Sequence, residues 1–420
     1  MSDFGTTILL QAEILGAITQ DPDRLTRTYL TKEHRAAGDL ILGWMRDAGM
    51  EAGYDPLGNV VGRYVAGAPD VADVADAKTV MTGSHMDSVV NAGKYDGLFG
   101  ILTAIECVRD LNRRGKRLRF TFEVVAFGDE EGVRFGVTLI GSKSLGGNFD
   151  PDYLERKDAD GVSLRDAIVA FGGDPDAIPR LKRDSTRVVA FVESHIEQGP
   201  VLLDEGLAVG VVTSIAGGSR IRAKVTGLAG HAGTVPMPIR RDALAAASEM
   251  VLAIEKHCAD RADTLVGTVG KLSIPGGGAI NVISGEVEFS VDLRSGDDAR
   301  RKAALVEVEA QCQTIAARRN VTLVWERFFD LNAAPCDQRL QAQLAASIER
   351  MGLPVRRLPS GAGHDAMEMI NIAPIAMLFV RCGNGGISHN PLETMTAEDA
   401  DIATRVLLDF LEHFDPATME

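Results

Sequence analysis

The chain has 420 residues, more than one hydrophobic core usually serves, so we expect two domains. Its composition, with 45% hydrophobic and 25% charged residues, is that of an ordinary globular protein. The formal net charge of −15 argues against nucleic acid or an anionic membrane surface as a partner. An anionic small molecule would therefore need its own Arg or Lys.

The cysteines and the N-terminus indicate a cellular location. The five cysteines are scattered and lack a C-x-x-C spacing, which suits free thiols in a reducing compartment. The sequence MSDFGTTILL lacks a basic region followed by a long apolar core, so no signal peptide is predicted. The apolar stretch IAPIAMLFV at 372–380 is too short to cross a bilayer. We expect a cytoplasmic protein with no membrane partner.

The first part of the chain alternates helical and strand patterns. Residues 1–55 are predicted to be helical, and TVMTGSH at 79–85 is predicted to be a strand that runs into a loop. A strongly apolar helix at 97–111 and a strand at 118–131 follow, and the segment 186–200 repeats the strand pattern. This order is typical of an α/β domain, in which functional groups gather where strands end.

The pattern changes from about residue 213. The segments 220–233 and 285–295 alternate apolar and polar residues like half-buried antiparallel strands. Helices are predicted at 240–258 and 298–319, so this region forms a compact α+β insert that ends near 328.

The final helix, in 395–414, is predicted to be capped by Thr396, with Asp399 three residues later. The predicted fold class is α/β, with a mixed-sheet main domain and an inserted α+β, ferredoxin-like domain. The predicted boundaries are 1–212 and 329–420 for the two parts of the main domain and 213–328 for the insert.

Histidines and acids recur after the predicted strands or in glycine-rich loops. They are His85, Asp87, Asp96, Glu131, His195 and His389. Side chains at the ends of different strands can converge, and two histidines with carboxylates suit a divalent transition metal such as Zn²⁺ or Mn²⁺. Two such ions would offset the three consecutive acids Asp129, Glu130 and Glu131.

Several stretches carry a family resemblance. They are GSHMDSV, GKYDGLFG, FGDEEGVRF, HIEQGPVL, GLAGHAGTVPM, GGAINVISGEVEFSVDLRS, GAGHDAMEM and ISHNP. Together they resemble the M20 metallopeptidase-like amidohydrolases, in the hydantoinase/carbamoylase branch. This branch holds N-carbamoyl-L-amino acid hydrolases, allantoate amidohydrolases and β-ureidopropionases of the yeast type. The resemblance covers nearly the whole chain in family order.

The resemblance implies a two-metal centre bridged by Asp96. One ion would be held by His85, Asp96 and His195, and the other by Asp96, Glu131 and His389. Zn²⁺ or Mn²⁺ are the expected ions, with Co²⁺ or Ni²⁺ as alternatives. Asp87 is implied to orient His85, and Glu130 to act as general base. Asp129 is interpreted as a loop residue without a role.

The resemblance also implies substrate contacts. His231 would polarise the scissile carbonyl, acting in its own subunit or in that of a partner. Arg294 and Asn281 would hold a substrate carboxylate, and Gln198 a ureido group; the alternative for Arg294 is a surface ion pair with Asp292 or Glu288. The pocket wall would include Ser360, Gly361 and His364, although His364 and Asp365 could equally form a structural pair.

The expected activity is hydrolysis of the carbamoyl group of a small anionic ureido substrate. An N-carbamoyl-L-amino acid is the first choice, followed by allantoate, by 3-ureidopropionate, and by the acylamino acids or peptides of an aminoacylase or peptidase. An inactive metal-binding protein is the alternative from another class, but every residue expected of an enzyme is present. We expect a homodimer formed through the insert, which would also serve as a lid.

Overall fold

The computed structural model describes residues 3–69, 71, 73–74 and 76–419. Its helices are α1 (Phe4–Gly16), α2 (Lys32–Asp47), α3 (Leu98–Arg113), α4 (Ile140–Gly146), α5 (Leu164–Phe171), α6 (Val201–Asp204), α7 (Ala243–Ala259), α8 (Asp298–Arg318), α9 (Gln338–Arg350), α10 (Ala366–Met369) and α11 (Ala397–His413). Its strands are β1 (Glu51–Tyr54), β2 (Val60–Tyr64), β3 (Thr79–His85), β4 (Thr121–Phe127), β5 (Val188–Ile196), β6 (Val209–Ile215), β7 (Gly217–Thr226), β8 (Gly230–His231), β9 (Val266–Thr268), β10 (Leu272–Ser273), β11 (Val282–Ile283), β12 (Glu286–Ser295), β13 (Thr322–Leu331), β14 (Ala334–Pro335), β15 (Arg357–Ser360) and β16 (Ile375–Val380). No helix in this part of the chain combines the length and apolar character that a membrane span requires.

The chain folds into two units. The first comprises Met1–Thr213, Cys336–Leu358 and His364–Glu420, and the second comprises Ser214–Pro335 and Pro359–Gly363. The second unit therefore extends past the predicted end at 328. The reason is that β13 stays paired with β7 as far as Leu331, so residue 328 lies inside a strand rather than at a boundary.

The first unit contains a mixed sheet. Its strand order is β1-β2-β4-β3-β5-β16-β6, and β15 also pairs with β6. The four central strands β4, β3, β5 and β16 run parallel to one another. The pairs β1–β2, β2–β4 and β16–β6 are antiparallel. The predicted α/β class with a mixed sheet is confirmed. Because the parallel strands end at one edge, the residues that follow them meet there.

The four parallel strands are buried along their whole length, which explains why their sequences are continuous apolar runs. The helix α3 packs on β3 and β5, and α1 and α11 pack against α3. As predicted, Thr396 caps α11, because its side chain accepts the backbone N–H of Asp399.

The N-terminal region is less helical than predicted. Residues 17–31 separate α1 from α2 without helix, and Glu51–Tyr54 forms β1. Pro22 lies in this stretch and lacks the backbone N–H that a helix interior requires. The buried Arg27 stabilises the connection, since its guanidinium donates to the carbonyl oxygens of Met86 and Leu15, each at 2.8 Å.

The second unit has an antiparallel sheet of order β10-β12-β7-β13, and β9 also pairs with β12. Along β7 and β12 every second residue is buried, and α7 and α8 pack on the sheet around a separate apolar core. In chain order the strands of this sheet and the two helices are β7, α7, β9, β10, β12, α8 and β13.

Candidate metal centre

His85 and His195 each present the same ring nitrogen to one carboxylate. His85 is the last residue of β3, and its Nδ1–H donates to the carbonyl oxygen of Asp87 at 3.1 Å. The Nδ1–H of His195, near the end of β5, donates to the carbonyl oxygen of Ile196 at 2.8 Å. Since a carbonyl oxygen only accepts, both rings carry a proton on Nδ1, which leaves Nε2 as the nitrogen through which each ring can bind an ion.

Asp96 lies at the centre of the cluster. Its Oδ1 is 3.3 Å from the Nε2 atoms of both His85 and His195, and its Oδ2 is 3.3 Å from Nε2 of His389. Although burial alone would raise it, contacts with the three histidines hold the pKa of the Asp96 carboxyl well below its ordinary value. The two oxygens of one carboxylate thus face two different groups of nitrogen donors.

Glu130 and Glu131 lie in the loop after β4, and Asp87 fixes the backbone of both. Asp87 Oδ1 accepts the N–H of Glu130 at 3.1 Å, and Oδ2 accepts the N–H of Glu131 at 3.3 Å. The Glu131 carboxylate lies 3.4 Å from His389 Nε2. Ligand atoms of His85, Glu130 and Glu131 lie within 4.8 Å of one another.

The acids outnumber the positive groups around this cluster. Burial raises the pKa of Glu131 to about 7, and burial together with the neighbouring Glu131 raises the pKa of Glu130 well above its ordinary value. Carboxylates that resist ionisation side by side are stabilised when cations lie between them. The donor set of imidazole nitrogens and carboxylate oxygens suits a divalent transition metal.

The structure brings the predicted metal-binding residues together in two groups that share one acid. His85, Asp96 and His195 form one group, and Asp96, Glu131 and His389 form the other, with ligand atoms within 4.8 Å in each. His389 has a φ of 55°, a left-handed conformation that is unusual outside glycine and is found most often at functional sites. The residues present therefore fit two divalent ions.

Gln198 lies beside this cluster and shares the unusual backbone conformation, with a φ of 56°. Its Nε2 donates to Asp96 Oδ2 at 2.8 Å. Gln198 is thus within reach of a molecule bound at the two groups.

Two acids near the cluster were not predicted to belong to it. Asp129 is interpreted above as a loop residue without a role, but it is 1% exposed and its Oδ1 accepts the N–H of Gly132 at 3.2 Å. Glu193 is fully buried and accepts from Ser84 Oγ at 2.9 Å. Glu193 precedes His195 by two residues on one strand, so the period of two could have revealed it.

His364 also lies in the first unit, packed against a member of the cluster. Its ring centroid is 4.5 Å from that of His195. Ligand atoms of Glu193, His195 and His364 lie within 4.8 Å of one another.

The remaining predicted site residues lie in the second unit. His231 and Val282 pair across the short β8–β11 ladder, and the carbonyl oxygen of Asn281 accepts the N–H of Ala232 at 2.9 Å. The side chains of His231 and Asn281 are exposed. His231 and Asn281 are therefore neighbours at one small two-stranded sheet, although 50 positions separate them in sequence.

Arg294 is engaged within the second unit. Its Nε and Nη2 donate to the two oxygens of Asp292, at 2.9 and 3.2 Å, and its Nη1 donates to the Gly361 carbonyl oxygen at 3.0 Å. The ion pair with Asp292 considered above as an alternative is thus present. The guanidinium has five N–H groups and these bonds use three, so two remain for a ligand. Arg294 and Gly361 line a cavity of about 600 Å³, and Ser360 precedes Gly361 as a buried residue.

Comparison with known proteins identifies the family. The chain belongs to peptidase family M20/M25/M40, whose model matches residues 81–413. It is 41% identical over 394 residues to the N-carbamoyl-L-amino acid amidohydrolase of Geobacillus stearothermophilus, with 94% of each chain covered. It is 39% identical over 430 residues to allantoate deiminase 1 of Glycine max, which covers 95% of this chain and 87% of the relative.

A solved structure gives the same result. The amidase of the hydantoinase/carbamoylase family from Burkholderia multivorans superposes with a TM-score of 0.89 at 35% identity, and 97% of both chains is covered. The predicted family resemblance is confirmed.

Proposed function

We propose that this protein is a metal-dependent N-carbamoyl-L-amino acid amidohydrolase. The observation that carries the proposal is the sharing of Asp96 between two groups of nitrogen and oxygen donors. The similarity to the Geobacillus stearothermophilus amidohydrolase supports the choice of substrate. Allantoate is the second candidate, because the Glycine max allantoate deiminase is nearly as similar.

Two divalent ions would be held by the residues of the two groups. His85, Asp96 and His195 would bind one ion, and Asp96, Glu131 and His389 the other. Once bound, the ions would polarise the carbamoyl carbonyl and make water more acidic. Zn²⁺ and Mn²⁺ suit these donors, as do Co²⁺ and Ni²⁺.

Glu130 would move the proton. It accepts a proton from the attacking water and delivers it to the nitrogen that leaves as the new amino group. The bond between the carbamoyl carbon and that nitrogen breaks, and the carbamate that is released decomposes into ammonia and carbon dioxide. One ureido substrate and one water thus give an amino acid, ammonia and carbon dioxide.

Substrate selection would rest on groups that match an anionic ureido compound. Arg294 and Asn281 would bind the carboxylate, using the two N–H groups of Arg294 that remain outside its bonds to Asp292 and Gly361. Gln198 would bind the ureido group, since its amide already lies 2.8 Å from Asp96. Ser360, Gly361 and His364 would form part of the pocket wall.

A homodimer formed through the second unit would complete the site. The two-stranded sheet that carries His231 is flanked by exposed apolar side chains that a monomer would leave in water, namely Leu228, Met237, Ile239, Ile280 and Val282. Ile280, next to Asn281, is fully exposed. A second copy that covers this two-stranded sheet would bring His231 to the scissile carbonyl of its partner, and the second unit would act as a lid.

The cytoplasmic location stays a prediction. The five cysteines are buried free thiols, which is compatible with a reducing compartment.

A substrate panel tests the proposed function. Ammonia release is measured with N-carbamoyl-L-amino acids, allantoate and 3-ureidopropionate in the presence of Mn²⁺, Zn²⁺, Co²⁺ or Ni²⁺, and N-carbamoyl-D-amino acids serve as the matched control. We expect the highest kcat/KM for an N-carbamoyl-L-amino acid. Faster release from allantoate would favour the second candidate. Cleavage of N-acyl amino acids or dipeptides alone would refute both.

A further inference from the structure

Glu393 lies close to the candidate metal centre but belongs to neither donor group. It is 5% exposed, and its Oε1 accepts the backbone N–H groups of Tyr95 at 2.8 Å and of Asp96 at 3.2 Å. Its Oε2 accepts the hydroxyl of Ser388 at 2.8 Å. Glu393 therefore joins the loop that carries Asp96 to the loop that carries His389.

Ser388 extends this connection to the Asp96 carboxylate itself. Its Oγ lies 2.5 Å from Asp96 Oδ2, the oxygen that faces His389. Ser388 thus lies between two carboxylates, those of Asp96 and Glu393. The backbone and the side chain of Asp96 are both held from the segment 388–393.

The loop before Asp96 is shaped to receive Glu393. A Cβ placed on Gly93 would come within 2.2 Å of the Glu393 carboxyl carbon, so only glycine leaves room for this side chain. Tyr95 and Asp96 precede α3 and belong to no strand, so the sheet does not fix them. The anchor comes instead from Glu393, almost 300 residues away, at a separation of 297 from Asp96.

The choice of Glu at this position is costly. A buried carboxylate is destabilising unless donors satisfy both of its oxygens, and the donors to Glu393 are two backbone N–H groups and a hydroxyl rather than a Lys or Arg. A Gln could accept the two backbone N–H groups through its carbonyl oxygen, but its other terminal atom would donate to Ser388 rather than accept from it. The Ser388 hydroxyl has a single proton, so the carboxylates of Asp96 and Glu393 share this one donor.

We infer that Glu393 and Ser388 are positioning residues that fix the orientation of Asp96 between the two donor groups. Asp96 belongs to both groups, so a rotation of its carboxylate would disturb both ions at once. This inference rests on the proposed two-ion centre. It assigns Glu393 no contact with substrate.

Metal binding tests the inference independently of turnover. The affinity of the full-length protein for Mn²⁺ and Zn²⁺ is measured by competition with a chromogenic chelator, and bound metal is counted by elemental analysis. Glu393→Ala is expected to lose about 10- to 100-fold in affinity, the usual effect of removing a group that orients a ligand. Glu393→Gln keeps an acceptor for the two N–H groups and should restore part of this loss.

Asp399→Asn provides the matched control. Asp399 is also a buried acid of the C-terminal segment, but it pairs with Arg381 in contact with neither donor group. The Asp399→Asn variant should bind metal with wild-type affinity even if its melting temperature falls. Equal losses in Asp399→Asn and Glu393→Ala would overturn the inference.

Ser388→Ala keeps the test decisive if Glu393→Ala does not fold. Ser388 is only partly buried, and its removal should lower metal affinity by about 10-fold. Wild-type affinity in Ser388→Ala, together with wild-type affinity in Glu393→Gln, would overturn the inference while leaving the proposed function standing. A wild-type protein that binds no metal would overturn both.

Discussion

Asp87 accepts the backbone N–H of Glu130 at 3.1 Å, although 43 positions separate the two residues in sequence. This bond is to Asp87 Oδ1, which also lies 3.5 Å from His85 Nδ1. Asp87 Oδ2 accepts the N–H of Glu131. The Asp87 carboxylate therefore contacts three residues of the proposed centre: the base Glu130 and the metal ligands Glu131 and His85. This role is broader than the orientation of His85 that the sequence implied.

Asp87→Asn should weaken metal binding. An amide has one acceptor oxygen where two N–H groups require acceptors, so the loop of Glu130 and Glu131 should shift. We expect a loss of about 10- to 100-fold in metal affinity, measured by chelator competition. Unchanged affinity would show that this loop is held by other contacts.

Glu130→Gln and Glu131→Gln should separate proton transfer from metal binding. Glu130→Gln should keep its metal content and lose about 10²- to 10⁴-fold in kcat, because an amide cannot accept the proton. Glu131→Gln should lose metal, since it removes a proposed ligand. Elemental analysis and steady-state kinetics on both variants check this division. Turnover near the wild-type level in metal-loaded Glu130→Gln would contradict the assigned role.

The metal-free protein should lose stability as the pH rises. Burial raises the pKa of Glu131 from an ordinary 4.5 to about 7 in the folded state. Between these values the folded state holds a proton that the unfolded state has released, so the Glu131 contribution to the free energy of unfolding falls as the pH rises from 4.5 to 7 and then levels off.

Glu131→Gln isolates this effect, because it removes the titrating group and leaves the other buried acids in place. With the metal removed by a chelator, the melting temperature of the variant relative to the wild type should increase from pH 4.5 to pH 8. Thermal unfolding followed by circular dichroism measures the difference. A melting-temperature difference between variant and wild type that stays constant with pH would show that folding does not raise the pKa of Glu131.

Mixed dimers should reveal whether His231 acts across subunits. Glu130→Gln and His231→Ala are each expected to be inactive, but a dimer of one chain of each would contain one site with both residues intact. Random assembly of co-expressed chains should then recover about a quarter of the wild-type activity. No recovery in dimers shown to be mixed by mass would mean that His231 acts in its own subunit, and an active His231→Ala variant would mean that His231 has no part in turnover.

The residues that sequence reasoning brought together share one property. His85, Glu131 and His195 lie at or just after the ends of buried strands, which are recognisable as apolar runs, and strands of a parallel sheet deliver such residues to one edge. The mixed sheet and the capped α11 were predictable for similar reasons, since periodicity and capping residues are local signals.

The features that sequence reasoning missed depend on distant parts of the chain. Glu393 contacts Tyr95 across 298 positions, and nothing in its neighbourhood in sequence indicates this. Asp129 is buried because the loop folds inward, whereas three adjacent acids suggest exposure. The non-helical connection at 17–31 is stabilised by the contacts of Arg27 with the carbonyls of Leu15 and Met86. In each case tertiary contacts outweigh local preference.

Anomalous diffraction from crystals grown with Mn²⁺ or Zn²⁺ tests the central claim most directly. We predict two anomalous peaks in each chain on either side of the Asp96 carboxylate, one within bonding distance of His85 and His195 and the other within bonding distance of Glu131 and His389. Anomalous peaks only at other residues, with none beside Asp96, would contradict the account.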